Sequence, residues 1–347
     1  MALLVDIEKR FKGFALRVAF EAENETLALL GASGSGKSMT LRCIAGVERP
    51  DRGRIILDGI TLFDSEKRID LKPQQRRAGL VFQHYALFPQ MTVWQNVACG
   101  VRGRLQKQAL RQAVEEALAA YGLSDLRDRL PSQLSGGQQQ RTALARIMVG
   151  EPEILMLDEP FAALDSHLRF LTEQEVRRVI QRFGKTVLLV SHNRDEVFRM
   201  ADRVAILRDG QIERLGTRDA VFRDPGTRAA CALTGCKNIS AVRRLDGGRA
   251  EALDWGICLS VPLRDDTCAL GIRMHSVRPG EGENAFRCRV EEVIENPFSV
   301  TVMLRPLGAK EGAVPIGWEM EKPVWQRLRA EELIVHFPAE GILQLRG

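Results

Sequence analysis

Three stretches of the chain are apolar without alternation: Thr26-Leu27-Ala28-Leu29-Leu30, Ile154-Leu155-Met156-Leu157 and Val187-Leu188-Leu189-Val190. Such runs suit parallel strands covered on both faces. Gly79-Leu80-Val81-Phe82 is a shorter run of the same kind, and Ala205-Ile206-Leu207 and Gln211-Ile212 flank Arg208-Asp209-Gly210 as the arms of a hairpin. Up to about Gly59, short strand-like runs are broken by turns at Pro50-Asp51-Arg52-Gly53 and Asp58-Gly59. From about Pro89 to Ile147 the period becomes helical. Leu110, Val114, Ala117, Leu118 and Tyr121 share one face, with Glu115 and Glu116 off it, which predicts a helix packed on a core. The pattern changes after about Arg223-Asp224-Pro225-Gly226, and beyond Asn238 short strand-like runs such as Ser299-Val300-Thr301-Val302-Met303-Leu304 are broken by Gly and Pro. They predict a second, all-β domain of about a hundred residues with the character of a small barrel. There is no internal repeat and no low-complexity tract.

The first apolar run leads into Gly31-Ala32-Ser33-Gly34-Ser35-Gly36-Lys37-Ser38, after which Leu41, Ile44 and Ala45 recur at helical spacing and Gly46 marks a stop. Strand, glycine loop and helix form the context of a phosphate cradle, Gly-x4-Gly-Lys-[Ser/Thr]. Gly31, Gly34 and Gly36 let backbone N–H groups converge on phosphate oxygens, and the helix N-terminus presents further N–H groups to the same anion. Lys37 is placed to reach the β- and γ-phosphates and Ser38 to ligate Mg²⁺. The second run ends in Asp158-Glu159. Carboxylates at the C-terminal edge of a buried strand lie where ligands bind in open α/β sheets. Asp158 then suits the Mg²⁺ opposite Ser38, and Glu159 the orientation and deprotonation of an attacking water. A third motif, Leu134-Ser135-Gly136-Gly137-Gln138, opens a helix with Leu144, Ile147 and Met148 on one face, and makes a second anion site at a helix N-terminus.

Two phosphate-binding helix ends in one chain resemble the ATP-binding cassette (ABC) family, over roughly residues 1 to 235. Gly31 to Ser38 matches its Walker A loop, Leu155 to Glu159 its Walker B strand, and Leu134 to Gln138 its Leu-Ser-Gly-Gly-Gln signature without substitution. The resemblance implies an α/β P-loop ATPase domain, residues 1–235, with a mixed sheet and a helical subdomain at about 89–147. A small all-β barrel-like domain, residues 236–347, follows as a regulatory or dimerisation module. It further implies ATP and Mg²⁺ as cofactors, with Gln83 as the Q-loop glutamine at Mg²⁺ and water and His192 as the switch histidine at the γ-phosphate. Ala163-Leu164-Asp165 takes the place of the D-loop, with Ala where Ser is common at its first position, and Phe11, favoured over Phe14, is the ring that stacks on adenine. In the family two cassettes sandwich two ATP molecules, so Ser135, Gly136 and Gly137 of one chain close on the γ-phosphate held by Lys37 of the other.

Composition narrows the branch. The chain has 347 residues, 45% hydrophobic and 27% charged, with a net charge of +5 of mixed sign and no long basic block, so a nucleic-acid groove is not expected. No window approaches the ~18 uninterrupted apolar residues of a membrane span. The N-terminus gains charge too early for a secretory signal. The seven cysteines form no CxxC and no metal-ligand spacing, which fits reduced thiols. A cytoplasmic chain is therefore expected, and the resemblance implies a peripheral place on the cytoplasmic face of the membrane. The partners implied are a second cassette, two integral permease subunits at the groove lined by Gln83 to Val97 and, indirectly, an extracytoplasmic solute-binding protein. The β domain is like those of importer ATPases for maltose, polyamines, iron, sulfate and molybdate. Arg68 to Arg77 with Val81-Phe82-Gln83, and Thr234 to Ile239 with Ala252 to Gly256, look most like the molybdate and sulfate members. Molybdate or tungstate is the expected solute, with sulfate or thiosulfate next and polyamine, iron or sugar after. Arg273, His275 and Arg278 are candidate anion contacts in the β domain. The rival reading is a mechanical ATPase without membrane partners, and the coiled-coil or zinc insertions usual in that class are not seen in the sequence.

Overall fold

The computed structural model describes residues 2–101, 103, 105–162 and 166–347, with only the backbone described for 166–168. Ala163-Leu164-Asp165, the D-loop of the sequence reading, lies outside the described residues. The chain forms two compact units, Met1–Arg218 and Asp219–Gly347. The division falls earlier than the expected 235/236 boundary. The helix Arg228–Leu233 packs on the strand Ala269–Ile272, and Thr227 bridges to Arg346, so both belong with the second unit.

In the first unit the unbroken apolar runs become neighbouring parallel strands. Their order in the sheet is Arg203–Arg208, Thr26–Gly31, Val187–Ser191, Ile154–Asp158 and Ala78–Val81. Every residue of the central three is buried, which is why none alternates. The register pairs Leu30 with Ser191, Val190 with Asp158, and Leu157 with Val81. The four strands therefore end at one edge, where the phosphate loop, His192, Glu159 and Gln83 follow them. The sheet continues through the hairpin strand Gln211–Thr217 into antiparallel strands, with Phe14–Glu23 and Ala2–Phe11 leading to Arg52–Leu57 and Ile60–Asp64. The predicted helical region holds Val93–Ala98, Lys107–Ala120 and Gly136–Met148, packed round Val93, Val97, Val114, Leu118, Leu134 and Ala145.

The second unit is two five-stranded antiparallel sheets over one core that includes Trp255, Leu270, Val302, Trp318, Val335 and Phe337. The Asn238 amide is buried between them and ties the sheets. It donates to Gly317 O at 2.7 Å and accepts from Gly317 N–H at 2.8 Å. Among the described residues no helix is long and apolar enough to cross a membrane.

Candidate nucleotide site

The phosphate loop leaves the strand at Gly31, where a Cβ would lie 2.4 Å from Leu207 O, and enters the helix Lys37–Ala45 at Gly36. Gly36 has φ +102°, and a Cβ there would meet Leu16 Cδ1 at 2.7 Å and the Phe14 ring at 3.1 Å. No side chain caps this helix. Its first described ladder bond runs from Thr40 N–H to Gly36 O, so the amides of Lys37, Ser38 and Met39 have no acceptor within the helix. They open towards a cavity of about 390 Å³ lined by Phe11, Phe14, Ser33, Gly34, Gly36, Lys37, Ser38, Met39, Gln83 and Glu159. The structure thus brings the expected loop, the expected Gln83 and Glu159, and both candidate rings to one cavity. Phe11 and Phe14 lie 6.0 Å apart, tilted by 33°. Phe11 is the more open ring and carries Lys9 Nζ 5.5 Å from its centroid.

Charge is concentrated behind the loop. Lys37 is buried and donates to Gly31 O at 2.8 Å and Ala32 O at 2.9 Å. Burial lowers its pKa, opposed by the nearby Glu159 and Asp158. Asp158 is also buried; burial raises its carboxyl pKa, against a 2.7 Å hydrogen bond from Ser38 Oγ and the pull of Arg42 and Lys37. A hydroxyl bonded to a desolvated carboxylate is a hard-oxygen pair short of positive charge, and it fits a Mg²⁺ ion. Glu159 begins the next turn at φ +46°, its N–H held by Val190 O at 2.9 Å. Its Oε2 lies 3.1 Å from His192 Nδ1, so the histidine after one strand and the glutamate after its neighbour meet at the sheet edge.

The signature residues do not line this cavity. Leu134 is buried in the helical subdomain. Ser135 caps the helix Gly136–Met148: its Oγ accepts from Gln138 N–H at 3.4 Å, and Gln138 Oε1 accepts from Ser135 N–H at 2.9 Å. Gly136 and Gly137 follow in the first turn of this capped helix end, away from the nucleotide cavity of the same chain.

Two arginines hold the surroundings in ways the sequence reading did not anticipate. Arg146 donates to Tyr85 O at 3.0 Å and Ala86 O at 2.8 Å, clamping two consecutive residues at positive φ just after Gln83. Its place in the last turn of the signature helix was the available signal. Arg76 is buried and donates to Cys43 O, Ile44 O and Leu71 O, and it pairs with Asp70 at 2.9 Å. It closes the carbonyl end of the phosphate-loop helix. A second cavity of about 550 Å³ includes Val47, Phe82, Cys99 and Arg146, and of the stretch Gln83 to Val97 expected to form a groove only Ala86 and Phe88 line it. In the second unit, Arg273 is committed to the carbonyls of Thr234 and Phe222, and Arg278 to that of His275.

Residues 17–162 match the ABC transporter family. A sulfate/thiosulfate import ATP-binding protein of Caulobacter vibrioides is 41% identical over 280 residues, 78% of this chain and 79% of the relative. A spermidine/putrescine import ATP-binding protein of Acidothermus cellulolyticus is 42% identical over 332 residues, 92% of this chain and 80% of the relative. The chain belongs to the ABC transporter ATP-binding family. It is a cassette of the import type, an ATPase that couples ATP hydrolysis to transport. A dimeric structure of a bacterial ABC transporter cassette and a post-hydrolysis dimer bound to ADP and phosphate each superpose with a TM-score of 0.53 and 31% identity. Each match covers 63% of this cassette's chain and 99% of the other.

Proposed function

We propose that this cassette energises import of sulfate or thiosulfate. The observation that carries the reading is the Caulobacter relative, whose similarity over 280 residues is longer than the first unit alone. This replaces molybdate, the solute first expected, because the importers found similar are named for sulfate/thiosulfate and for polyamines. Polyamine import is the second reading, supported by the longer match to the Acidothermus protein. Uptake of labelled sulfate, thiosulfate, spermidine and molybdate, in cells carrying the wild-type chain or Glu159→Gln, separates them. Selective loss of sulfate or thiosulfate uptake is expected. Loss of spermidine uptake alone transfers the assignment to polyamines.

In the mechanism proposed, the open amides at the helix start take the phosphates of ATP and Lys37 leaves Gly31 O and Ala32 O for them, with Phe11 against the adenine. Ser38, Asp158 and Gln83 would hold Mg²⁺, which would draw charge from the β- and γ-phosphate oxygens. Glu159 takes a proton from the attacking water, and His192, 3.1 Å away, orients the glutamate and faces the γ-phosphate. Ser135, Gly136 and Gly137 complete the site from a second copy of the chain, and Asp165 joins that contact. Support comes from the absence of Ser135, Gly136 and Gly137 from the cavity of their own chain and from the dimeric cassettes of the same fold. ATP then bridges two chains and its hydrolysis releases them. The cassettes work at the cytoplasmic face of the membrane, with permease subunits received at the groove of Phe82, Phe88 and Arg146.

A further inference from the structure

The second unit holds two cysteines that meet across a tight turn. Cys231 lies in the helix Arg228–Leu233, and Cys236 just beyond its end. The helix closes with Cys236 N–H donating to Cys231 O and Gly235 N–H to Ala232 O, both at 3.0 Å, with Gly235 at φ +94°. This paired closure folds the chain back so that the first and last residues of the turn face each other. Both sulfurs then sit over Gly271 of the strand Ala269–Ile272. A Cβ on that glycine would lie 3.0 Å from Cys231 Sγ and 3.3 Å from Cys236 Sγ, so glycine is what admits the pair. Both residues are buried, and Cys236 Sγ also donates to Asn238 O at 3.3 Å.

The pair is electrically lopsided. Contact between the two thiols is the largest influence on each, raising the pKa of Cys231 and lowering that of Cys236, and Arg273 also lowers Cys236. Between the two sulfurs, loss of a proton is thus favoured at Cys236 over Cys231, which makes Cys236 the attacking sulfur of the pair. The buried thiols elsewhere differ: burial pushes Cys43 and Cys288 up to about 12. Among the described residues no third metal-ligating side chain joins the pair.

We propose that Cys231 and Cys236 form a redox-responsive dithiol that closes to a disulfide within the second unit on reaction with a small peroxide. The Cys236 thiolate attacks one peroxide oxygen, the O–O bond breaks, and the departing hydroxide takes a proton to become water. Cys236 is left as a sulfenic acid. The Cys231 sulfur, giving up its proton, displaces the sulfenic hydroxyl as a second water and the S–S bond forms. Two thiols are oxidised, one peroxide is reduced, and a thiol reductant reverses the change. Burial selects a small oxidant over a protein disulfide. Closure removes the Cys236 hydrogen bond to Asn238 O, the residue whose side chain joins the two sheets.

The test treats the full-length folded protein with hydrogen peroxide, then alkylates in denaturant and maps peptides. The expected result is loss of two hydrogens and of alkylation at the peptide carrying both cysteines, reversed by dithiothreitol, while Cys43 and Cys288 stay reduced. In Cys231→Ser, dimedone is expected to trap a sulfenic acid on Cys236. Two outcomes overturn the proposal: Cys231 and Cys236 remain alkylatable while the exposed Cys258 and Cys268 oxidise, or the pair closes only after unfolding.

Discussion

Replacing Asp158 by Asn should make the nucleotide-free protein more stable while disabling it. The carboxylate is 4% exposed, and burial outweighs the Ser38 hydrogen bond and the attraction of Arg42 and Lys37, leaving its pKa raised. A raised carboxyl favours the folded state fully below the unfolded-state pKa, near the ordinary carboxylate value. That advantage is lost as pH rises through the folded-state pKa. At neutral pH the ionised group is therefore a net burden. Asn keeps the size and an oxygen able to accept from Ser38 Oγ at the observed 2.7 Å while removing the charge. A gain of about 1–2 kcal/mol is reasonable for one desolvated, partly compensated carboxylate, and it raises Tm of the first unit by about 2–8 °C. Calorimetry of the nucleotide-free chain at neutral pH reads the gain, which should shrink on acidification as wild-type Asp158 protonates. Added Mg²⁺ and ATP should stabilise the wild type more than the variant. A variant less stable than wild type at neutral pH would refute the reasoning, because the carboxylate would then be a net contributor to the fold.

Other consequences are as direct. Glu159→Gln should keep ATP binding and lose about 10²–10⁴-fold in phosphate release; near wild-type turnover would remove Glu159 from the role of base. Lys37→Ala should weaken ATP binding itself in equilibrium titration, and unchanged affinity would contradict its contact with the phosphates. Arg76→Met should cost the first unit about 2–4 kcal/mol in denaturant melts, since it strips donors from the carbonyls of Cys43 and Ile44 at a buried helix end; a loss well under 1 kcal/mol would oppose that role.

Much of the site was legible because its chemistry is local in sequence. The loop Gly31–Ser38 needs consecutive residues, and unbroken apolar runs announced the strands that end beside it. The capping pair Ser135 and Gln138 was likewise readable, three positions apart. What the sequence hid depends on distant partners. The 3.1 Å contact of His192 with Glu159 follows from the register of two strands, and the Arg146 clamp joins residues sixty positions apart. The early division at Arg218 was obscured because the strand-like runs begin only beyond Asn238, whereas the helix Arg228–Leu233 ahead of them packs on the strand Ala269–Ile272. The solute was the least legible feature, since the motifs Gly31–Ser38, Leu134–Gln138 and Leu155–Glu159 handle ATP whatever is carried.

The central claim is that the nucleotide cavity of one chain is completed by the signature helix of another. ATP affinity and turnover of Ser135→Arg, measured on one preparation, test it most directly. ATP binding should stay close to wild type, because Ser135 does not line its own chain's cavity, with hydrolysis reduced at least about 10²-fold. Wild-type hydrolysis in that variant would contradict it.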